Sequence, residues 1–229
     1  MVSKVLIIAH RGASAYEPEN TLRSVKRALE LGVDMVEIDA QASRDGQIIV
    51  IHDAKVDRTT NGKGYVRDMT LDELKRLDAG LGERIPTLEE VIRLVGGRAQ
   101  LVVEIKVPGI EEKVLQIIEK NRVESKALIT SFHHPVIKRV RELSPNMRTG
   151  IIIASRPVKP ENLSIDANAN ALFAKQTYVD IQMVEESHKN KLAVYPWTVD
   201  TLDEAKSLVK MGVDGIVTNK PDLLRSAIS

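Results

Sequence analysis

The chain has 229 residues, of which 43% are hydrophobic, and this composition is sufficient for one large core and excludes a disordered chain. Its 33 Lys and Arg residues nearly balance its 32 Asp and Glu residues, and they form no basic arm, so no electrostatic feature supports nucleic-acid binding. The lack of cysteine excludes disulfides, thiolate metal sites and thiol catalysis, and it favours an intracellular protein.

No segment approaches the roughly 20 consecutive apolar residues that a membrane helix requires. The apolar run VLIIA at residues 5–9 is shorter than the core of a secretory signal and is interpreted as a first strand. We therefore expect a cytoplasmic protein without stable membrane anchoring. No sequence feature indicates an oligomeric state.

Strand and helix patterns alternate along the chain. The run VLIIAH at residues 5–10 is typical of a strand buried on both faces, and residues 19–32 then repeat apolar side chains at helical spacing. Strand patterns follow at 35–43 and 46–53. Further strand patterns, separated by helical segments, are AQLVVEIK, KALITSF, RTGIIIAS, ALFAKQ, LAVYPWTV and DGIVTN. Residues 157–167 form a poorly marked helical or looped stretch.

This alternation predicts an α/β protein with a parallel sheet. When 35–43 and 46–53, which no helical segment separates, are counted as one unit, the chain has eight strand units, and eight in this length favour a closed (β/α)₈ TIM barrel, whose usual size is about 250 residues. A doubly wound open sheet is the competing fold, but it would normally show a glycine-rich phosphate fingerprint after its first strand. The sequence His10-Arg11-Gly12 is not such a fingerprint.

One segment interrupts the alternation. Residues 53–86 contain four glycines and no clear core strand, apart from one amphipathic piece in which Thr70 and Glu73 have the spacing of a capping box. An insertion of this length is usually functional or a lid. We therefore expect a single domain over residues 1–229 with an insertion subdomain at 53–86, after the second strand.

Charged and polar side chains lie near the ends of the predicted strands. Glu37 and Asp39 are two residues apart and share one face of a strand, as do Glu104 and Lys106. His10 ends the first strand, and His52 ends the run QIIVIH in the same way. In a barrel of this kind, the carboxyl ends of the strands form the active site.

A single charge at a strand end is ordinarily a helix cap or half of an ion pair, but three carboxylates, two histidines and a lysine at one end call for another explanation. Buried carboxylates placed close together repel one another unless a cation or proton intervenes. Three acidic oxygen donors without cysteine suit Mg²⁺, Ca²⁺ or Mn²⁺ better than structural zinc. The sequence therefore predicts a divalent metal ion, with Mg²⁺ as the first choice.

Several motifs occur in one order and together carry a family resemblance. They are HRGASAYEPENT (10–21), VEID (36–39), HD..VDRTTNGKG (52–64), IPTLEEV (85–91), VEIK (103–106), WTV (197–199) and DGIVTNKP (214–221). With these motifs the chain resembles the glycerophosphodiester phosphodiesterase family over residues 5–221. The resemblance implies a (β/α)₈ barrel that cleaves small-molecule glycerophosphodiesters to glycerol phosphate and an alcohol.

The resemblance also implies roles for individual residues. Glu37, Asp39 and Glu104 would be the metal ligands, and His10 and His52 the paired general base and acid. The expected substrate-binding residues are Arg11 and Lys106 at the phosphate and Trp197 at the glycerol end. Asp200 and Asn219 depart from the family pattern, in which Asn and Asp are expected at these two positions.

The residue types agree with this chemistry. A phosphodiester anion repels nucleophiles, so its cleavage requires positive charge on the phosphate oxygens, and histidine can donate or accept a proton near neutral pH. Two alternatives remain open at this point. One is a lysophospholipase D that acts on lysophospholipids with the same site, and the other is a non-catalytic barrel that binds a phosphate ligand.

Overall fold

The structure is a computed structural model in which residues 4–228 are described. It confirms the prediction of a (β/α)₈ barrel. Eight parallel strands form the wall, and their bounds are β1 (Leu6–Ala9), β2 (Met35–Ala42), β4 (Gln100–Ile105), β5 (Ala127–Ser131), β6 (Arg148–Ile153), β7 (Ala171–Lys175), β8 (Ala193–Trp197) and β9 (Gly215–Thr218). A short strand, β3 (Ile48–Val50), lies outside this wall.

The strand order around the wall is β8-β7-β6-β5-β4-β2-β1-β9. The two ends of this order meet, because the backbone N–H of Val199 donates to the Val217 carbonyl at 2.9 Å and that of Asp214 donates to the Val194 carbonyl at 3.1 Å. The segments around β8 and β9 are therefore neighbours, which closes the barrel and brings the chain after β8 beside the end of β9.

Helices cover the outside of the barrel. In the described part of the chain the helices are α1 (Leu22–Glu30), α2 (Leu71–Lys75), α3 (Leu88–Val95), α4 (Glu111–Lys120), α5 (His134–Leu143), α6 (Pro160–Asp166), α7 (Ile181–Lys189), α8 (Leu202–Lys210) and α9 (Pro221–Ile228). Of these, α2 lies in the segment 53–86 and not on the barrel wall. The poorly marked stretch 157–167 thus contains a helix, α6. No helix among the described residues combines the length and apolar character needed to cross a bilayer.

The strands bury both faces, in accord with their continuous apolar sequences. One set of side chains points into the barrel, and Ile8, Met35, Val102 and Leu128 belong to it. The alternate set, which includes Val36, packs against the helices in a larger cluster. Because side chains alternate along a strand, His10, Glu37, Asp39 and Glu104 share the inward face with the first set.

The strand β3 corrects one expectation from the sequence. The run QIIVIH resembles the barrel strands, but β3 pairs antiparallel with the far end of β2, through Ala42↔Ile48 and Ala40↔Val50. His52 therefore does not lie at the carboxyl end of a barrel strand. It returns to the barrel mouth because the β2–β3 hairpin reverses the chain, and the N–H of Ile51 donates to the Asp39 carbonyl at 2.9 Å.

The segment 53–86 packs around a small apolar cluster of its own. The members of this cluster are Ile49, Ile51, Val56, Val66, Leu74, Ala79 and Ile85. Thr70 begins helix α2 with the expected capping box, in which its side chain accepts from the Glu73 N–H and the Glu73 carboxylate accepts from the Thr70 N–H. Two members of the cluster belong to the β3 region, so the insertion packs onto the hairpin.

We expect the barrel and the insertion to unfold as one unit. Leu74→Ala removes a fully buried side chain from the insertion cluster and should lower the free energy of unfolding by about 2–5 kcal/mol. Urea unfolding followed by Trp197 fluorescence, which reports on the barrel, and by far-UV circular dichroism should shift together. The exposed Val158→Ala serves as the control and should change stability by less than about 0.5 kcal/mol. A separate early transition that leaves the Trp197 midpoint unchanged would show that the insertion unfolds independently.

Candidate active site

A cavity of about 150 Å³ opens at the carboxyl ends of the barrel strands. Its lining contains acidic, basic and imidazole groups on one part of the wall and apolar side chains on the rest. The lining residues are His10, Arg11, Glu37, His52, Glu104, Thr130, Phe132, Ile152, Phe173, Trp197 and Val217. The position of this cavity is the one at which a barrel of this kind places its active site.

Three carboxylates meet beside the cavity. Glu37 and Asp39 project inward from β2, and the parallel register sets Asp39 opposite Glu104 on β4. All three residues are buried, and one carboxylate oxygen from each lies within 4.8 Å of the others. Two residues of one strand and one of its neighbour thus form a compact group of hard oxygen donors.

The proximity of these carboxylates makes their ionisation unfavourable. Burial, followed by the charges of Asp39 and Glu104, raises the pKa of Glu37 well above its usual value. Burial and the charge of Asp39 likewise raise the pKa of Glu104 to about 7. The group therefore carries more negative charge than its surroundings readily accept.

Two basic side chains neutralise part of this charge. The Lys106 Nζ lies 2.6 Å from Glu104 Oε1 and 3.5 Å from Asp39 Oδ1, and the Arg11 Nε lies 3.2 Å from Asp39 Oδ2. The guanidinium of Arg11 is shared with Glu19, whose Oε1 accepts from Arg11 Nη1 at 2.9 Å. Two cations, one of them shared, face three carboxylates, so full ionisation of the three would leave an excess of negative charge.

The carboxylate group fits a divalent cation. The Asp39 Oδ1 is buried and accepts no hydrogen bond within the described structure, so it retains free coordinating capacity. Carboxylate oxygens are the ligands that Mg²⁺, Ca²⁺ and Mn²⁺ prefer. A bound cation would also relieve the repulsion that raises the pKa values of Glu37 and Glu104.

The loop after β1 is held in an unusual backbone conformation. Arg11 has φ +54° and Gly12 has φ +79°. A Cβ at position 12 would lie 2.6 Å from the backbone carbon of Ser24, so only glycine fits against helix α1 there. The Arg11 N–H donates to Glu37 Oε2 at 2.8 Å, which ties this loop to the carboxylate group.

His10 is held through one ring nitrogen. Its Nδ1 lies 2.8 Å from Asn219 Oδ1, and because an amide oxygen only accepts, the Nδ1 must donate. Burial and the positive charge of Arg11 lower the pKa of His10 below its usual value. The ring is therefore neutral at neutral pH, and its Nε2 is available for proton transfer.

His52 is held in a similar way by a carboxylate. Its Nδ1 lies 2.6 Å from Asp53 Oδ1, and Asp53 Oδ2 accepts from Arg58 Nε at 2.6 Å. The hydrogen bond from Arg58 lowers the pKa of Asp53 to about 2. Arg58 also donates through both terminal nitrogens to Glu19, at 2.7 and 2.8 Å. Arg58 thus anchors the insertion and also orients the carboxylate behind His52.

Two amide side chains complete the polar frame. Asn20 Nδ2 donates to Asp39 Oδ2 at 2.7 Å, so it fixes a carboxylate, and the cap of helix α1 is Thr21. Gln41 Nε2 lies 2.6–3.2 Å from the carbonyl oxygens of residues 51–53 and holds the loop that carries His52. The sequence indicated no role for Gln41, because its partners come from the reversed hairpin.

Aromatic side chains form the opposite wall. Trp197 and Phe132 contact edge to face, with ring centroids 5.5 Å apart, and Trp197 Nε1 donates to the Phe173 carbonyl at 3.2 Å. The predicted pocket residue Trp197 is therefore fixed in place, and Phe132 extends the apolar surface towards solvent.

The eight predicted site residues come together at this end of the barrel. Six of them line the cavity, whereas Asp39 and Lys106 lie behind Glu104 and contact it or its neighbours. Thr130, Phe132 and Phe173 were not predicted, although their inward position follows from the alternation along β5 and β7. His188 lies near the end of helix α7 and bonds to Asp214 at the amino end of β9, away from the cavity.

The sequence matches the model of the glycerophosphoryl diester phosphodiesterase family over residues 10–223. The chain belongs to this family. A glycerophosphodiester phosphodiesterase from Caldanaerobacter subterraneus subsp. tengcongensis is 42% identical over 96% of each chain. The chain is therefore an enzyme of the phosphodiesterase class.

Solved structures of the family have the same fold. An Oleispira antarctica phosphodiesterase in complex with the product sn-glycerol-3-phosphate superposes with a TM-score of 0.93 at 30% identity, covering 98% of this chain and 97% of that one. A glycerophosphodiester phosphodiesterase from Agrobacterium tumefaciens superposes with a TM-score of 0.86 at 28% identity, covering 97% and 99%.

We expect the charge of Glu104 to destabilise the metal-free enzyme. Its pKa of about 7 in the folded state lies above its ordinary 4.5, so between these pH values the unfolded chain binds fewer protons and stability falls as pH rises. With chelator present, Glu104→Gln should therefore melt close to wild type at pH 5 and at a higher temperature at pH 8. Circular dichroism melts at the two pH values measure this difference.

Glu89→Gln is the matched surface control for this experiment. Glu89 is half-buried at the surface of helix α3, and hydrogen bonding to Lys120 lowers its pKa, so the substitution should bring no gain at pH 8. A lower melting temperature of Glu104→Gln at pH 8 would show instead that the ion pair with Lys106 stabilises the enzyme.

Proposed function

We propose that the enzyme hydrolyses glycerophosphodiesters to glycerol phosphate and an alcohol, with His10 and His52 as the acid-base pair and a divalent cation at Glu37, Asp39 and Glu104. The observation that carries this proposal is the meeting of three buried carboxylates with two oriented imidazoles around one cavity. Family membership and the product bound in the Oleispira antarctica relative support the substrate class.

A divalent cation at the carboxylates, when bound, would place positive charge on a non-bridging phosphate oxygen. The three ligands are all carboxylate oxygens, and this favours Mg²⁺, with Ca²⁺ or Mn²⁺ as the other candidates. Lys106 keeps two of the ligands in place through its ion pairs with Glu104 and Asp39.

Arg11 is the side chain best placed to bind the phosphate. It lines the cavity beside Glu37, and the positive-φ loop fixes its backbone. The negative charge of Asp39, acting against the cost of burial, raises the pKa of Arg11, so the guanidinium remains charged. A guanidinium binds phosphate oxygens through paired hydrogen bonds, which orient the diester for attack.

The two histidines divide the proton transfers. Each ring donates its Nδ1–H to a fixed oxygen, so each Nε2 is the nitrogen that exchanges a proton with the substrate. His10 is neutral because burial and Arg11 lower its pKa, which favours it as the base that takes a proton from the nucleophile. His52 then gives a proton to the leaving alkoxide.

The apolar wall receives the non-phosphate part of the substrate. Trp197 and Phe132 present ring faces and edges that suit the carbon skeleton of glycerol. Phe132 is 42% exposed and lies where a longer alcohol substituent would leave the cavity.

Turnover of glycerophosphocholine tests the proposal. The enzyme should release glycerol phosphate and choline with Mg²⁺, Mn²⁺ or Ca²⁺, and chelator should abolish the release. Lysophosphatidylcholine is assayed in parallel and should be the slower substrate. If no added metal produces hydrolysis of any diester, a non-catalytic ligand-binding barrel becomes the better account, and faster cleavage of the lysophospholipid would identify a lysophospholipase D.

His10→Ala and His52→Ala should each lower kcat by about 10²–10⁴-fold, because each removes a group that transfers a proton. Circular dichroism should show that both variants remain folded. His188→Ala, which removes an exposed histidine bonded to Asp214, is the matched control and should retain activity. Unfolding of both site variants would identify the two histidines as core residues with a structural role.

Glu37→Gln should weaken metal binding much more than it changes stability in metal-free buffer. The substitution removes one charged ligand but also relieves repulsion among the carboxylates, so the melting temperature in chelator should not fall. Calorimetric titration with Mn²⁺ measures the first effect, and a thermal melt measures the second. Equal losses of binding and stability would identify Glu37 as a structural residue that holds the loop after β1 through the Arg11 backbone N–H.

A further inference from the structure

The ring of His10 is held by an amide whose own orientation is fixed by a carboxylate. Asn219 Oδ1 accepts from His10 Nδ1 at 2.8 Å, and Asn219 Nδ2 donates to Asp200 Oδ2 at 2.6 Å. Asp200 follows β8 and Asn219 follows β9, and closure of the barrel brings these two segments together. Asp200, Asn219 and His10 thus form a chain of two hydrogen bonds that runs from a carboxylate to the imidazole.

Asp200 allows the side-chain amide of Asn219 only one orientation. Its Oδ1 accepts from the Asn219 N–H at 2.8 Å and from Thr218 Oγ1 at 2.9 Å, so the carboxylate is anchored at its other oxygen. If the amide turned over, its oxygen would face Asp200 Oδ2, and two acceptors would meet without a proton between them. The amide nitrogen must therefore face Asp200, and the amide oxygen must face His10.

We propose that Asp200 is a positioning residue that fixes the Nδ1–H tautomer of His10 through the amide of Asn219. This inference rests on the proposed function, because it assigns a role to a residue that supports His10 in that reaction. Either role of His10, as base or as acid, requires a proton on Nδ1 and exchange at Nε2, so the tautomer matters for both.

The side chain of Ser14 is compatible with this arrangement but does not select it, because a hydroxyl can accept from an NH₂ group as well as donate to an amide oxygen. Its Oγ lies 2.7 Å from Asn219 Oδ1 and 2.7 Å from the His10 carbonyl oxygen, so its single proton is shared between two acceptors. A reversed amide would place its NH₂ group against this hydroxyl and against His10 Nδ1. The orientation observed lets the amide oxygen accept from both neighbours.

Asp200→Asn should reverse the orientation of the Asn219 amide. The new amide oxygen satisfies the backbone N–H of Asn219 and the Thr218 hydroxyl, and its NH₂ group then faces Asn219. Asn219 must turn its oxygen towards that NH₂ group and its own NH₂ group towards His10. His10 Nδ1 then has to accept, and the proton of the neutral ring moves to Nε2.

The exchanged pair Asp200→Asn with Asn219→Asp should restore the original tautomer. A carboxylate at 219 accepts from the NH₂ group of the residue at 200 on one side and from His10 Nδ1 on the other. The double variant keeps one amide and one carboxylate in contact but reverses their order. This gives a rescue that a general loss of packing at position 200 would not show.

Long-range ¹H–¹⁵N correlation spectra of the full-length, ¹⁵N-labelled enzyme read the tautomer directly. His10 signals are assigned by their loss in His10→Ala, and spectra are recorded with chelator and with Mg²⁺. We expect Nδ1–H in the wild type, Nε2–H in Asp200→Asn and Nδ1–H in the double variant. With glycerophosphocholine, kcat of Asp200→Asn should fall about 100-fold with KM little changed, and the double variant should recover most of this loss.

Asp214→Asn is the matched control. Asp214 also bonds to a histidine, with Oδ2 2.9 Å from His188 Nε2, but it lies at the opposite end of β9. This control should leave the His10 tautomer unchanged. An Nε2–H ring in the wild type, or an unchanged Nδ1–H ring in Asp200→Asn, overturns the proposal.

The two readouts separate this inference from the proposed function. A tautomer that responds as expected in an enzyme without activity on any diester would contradict the proposed function but support the Asp200–Asn219 arrangement. Normal hydrolysis by the wild type, together with a His10 tautomer that is unchanged in Asp200→Asn, would contradict the inference alone. If Asp200→Asn fails to fold, Asp200→Ala replaces it: this variant removes the acceptor that fixes the Asn219 amide and should lose the preference for Nδ1–H, and a fully retained Nδ1–H ring would overturn the proposal.

Discussion

The repulsion among Glu37, Asp39 and Glu104 is the constraint on which the rest of the site depends. Inside a barrel, three carboxylates within 4.8 Å of one another are unfavourable unless positive charge approaches them. Arg11 and Lys106 supply part of that positive charge. Burial and the remaining repulsion raise the pKa values of Glu37 and Glu104. This geometry costs stability in the metal-free enzyme and makes the group a strong candidate site for a cation.

Both histidines beside this group are oriented by partners that do not line the cavity. His52 is held by Asp53, which is held by Arg58 of the insertion, and His10 is held by Asn219, which is held by Asp200. The insertion is therefore connected to the barrel chemistry through Arg58. Hydrogen bonds one step behind a reacting group fix its geometry, as they do behind metal ligands.

The barrel and its carboxylate group follow from the sequence, because continuous apolar runs and the two-residue spacing of Glu37 and Asp39 are local signals. The position of β3 does not follow from the sequence, since its apolar run is equally suited to a parallel or an antiparallel partner. The contact between Asp200 and Asn219 also lies beyond local pattern. The sequence shows two separate departures from the family pattern, and only closure of the barrel reveals that they are partners.

A crystal of the enzyme soaked with Mn²⁺ and glycerol phosphate would show whether the three carboxylates hold a cation beside the two histidines. We expect one anomalous peak within coordination distance of Glu37, Asp39 and Glu104, with the phosphate between that peak and the Nε2 atoms of His10 and His52. A peak elsewhere, or no peak with Lys106 and Arg11 still paired to the three carboxylates, would contradict this expectation.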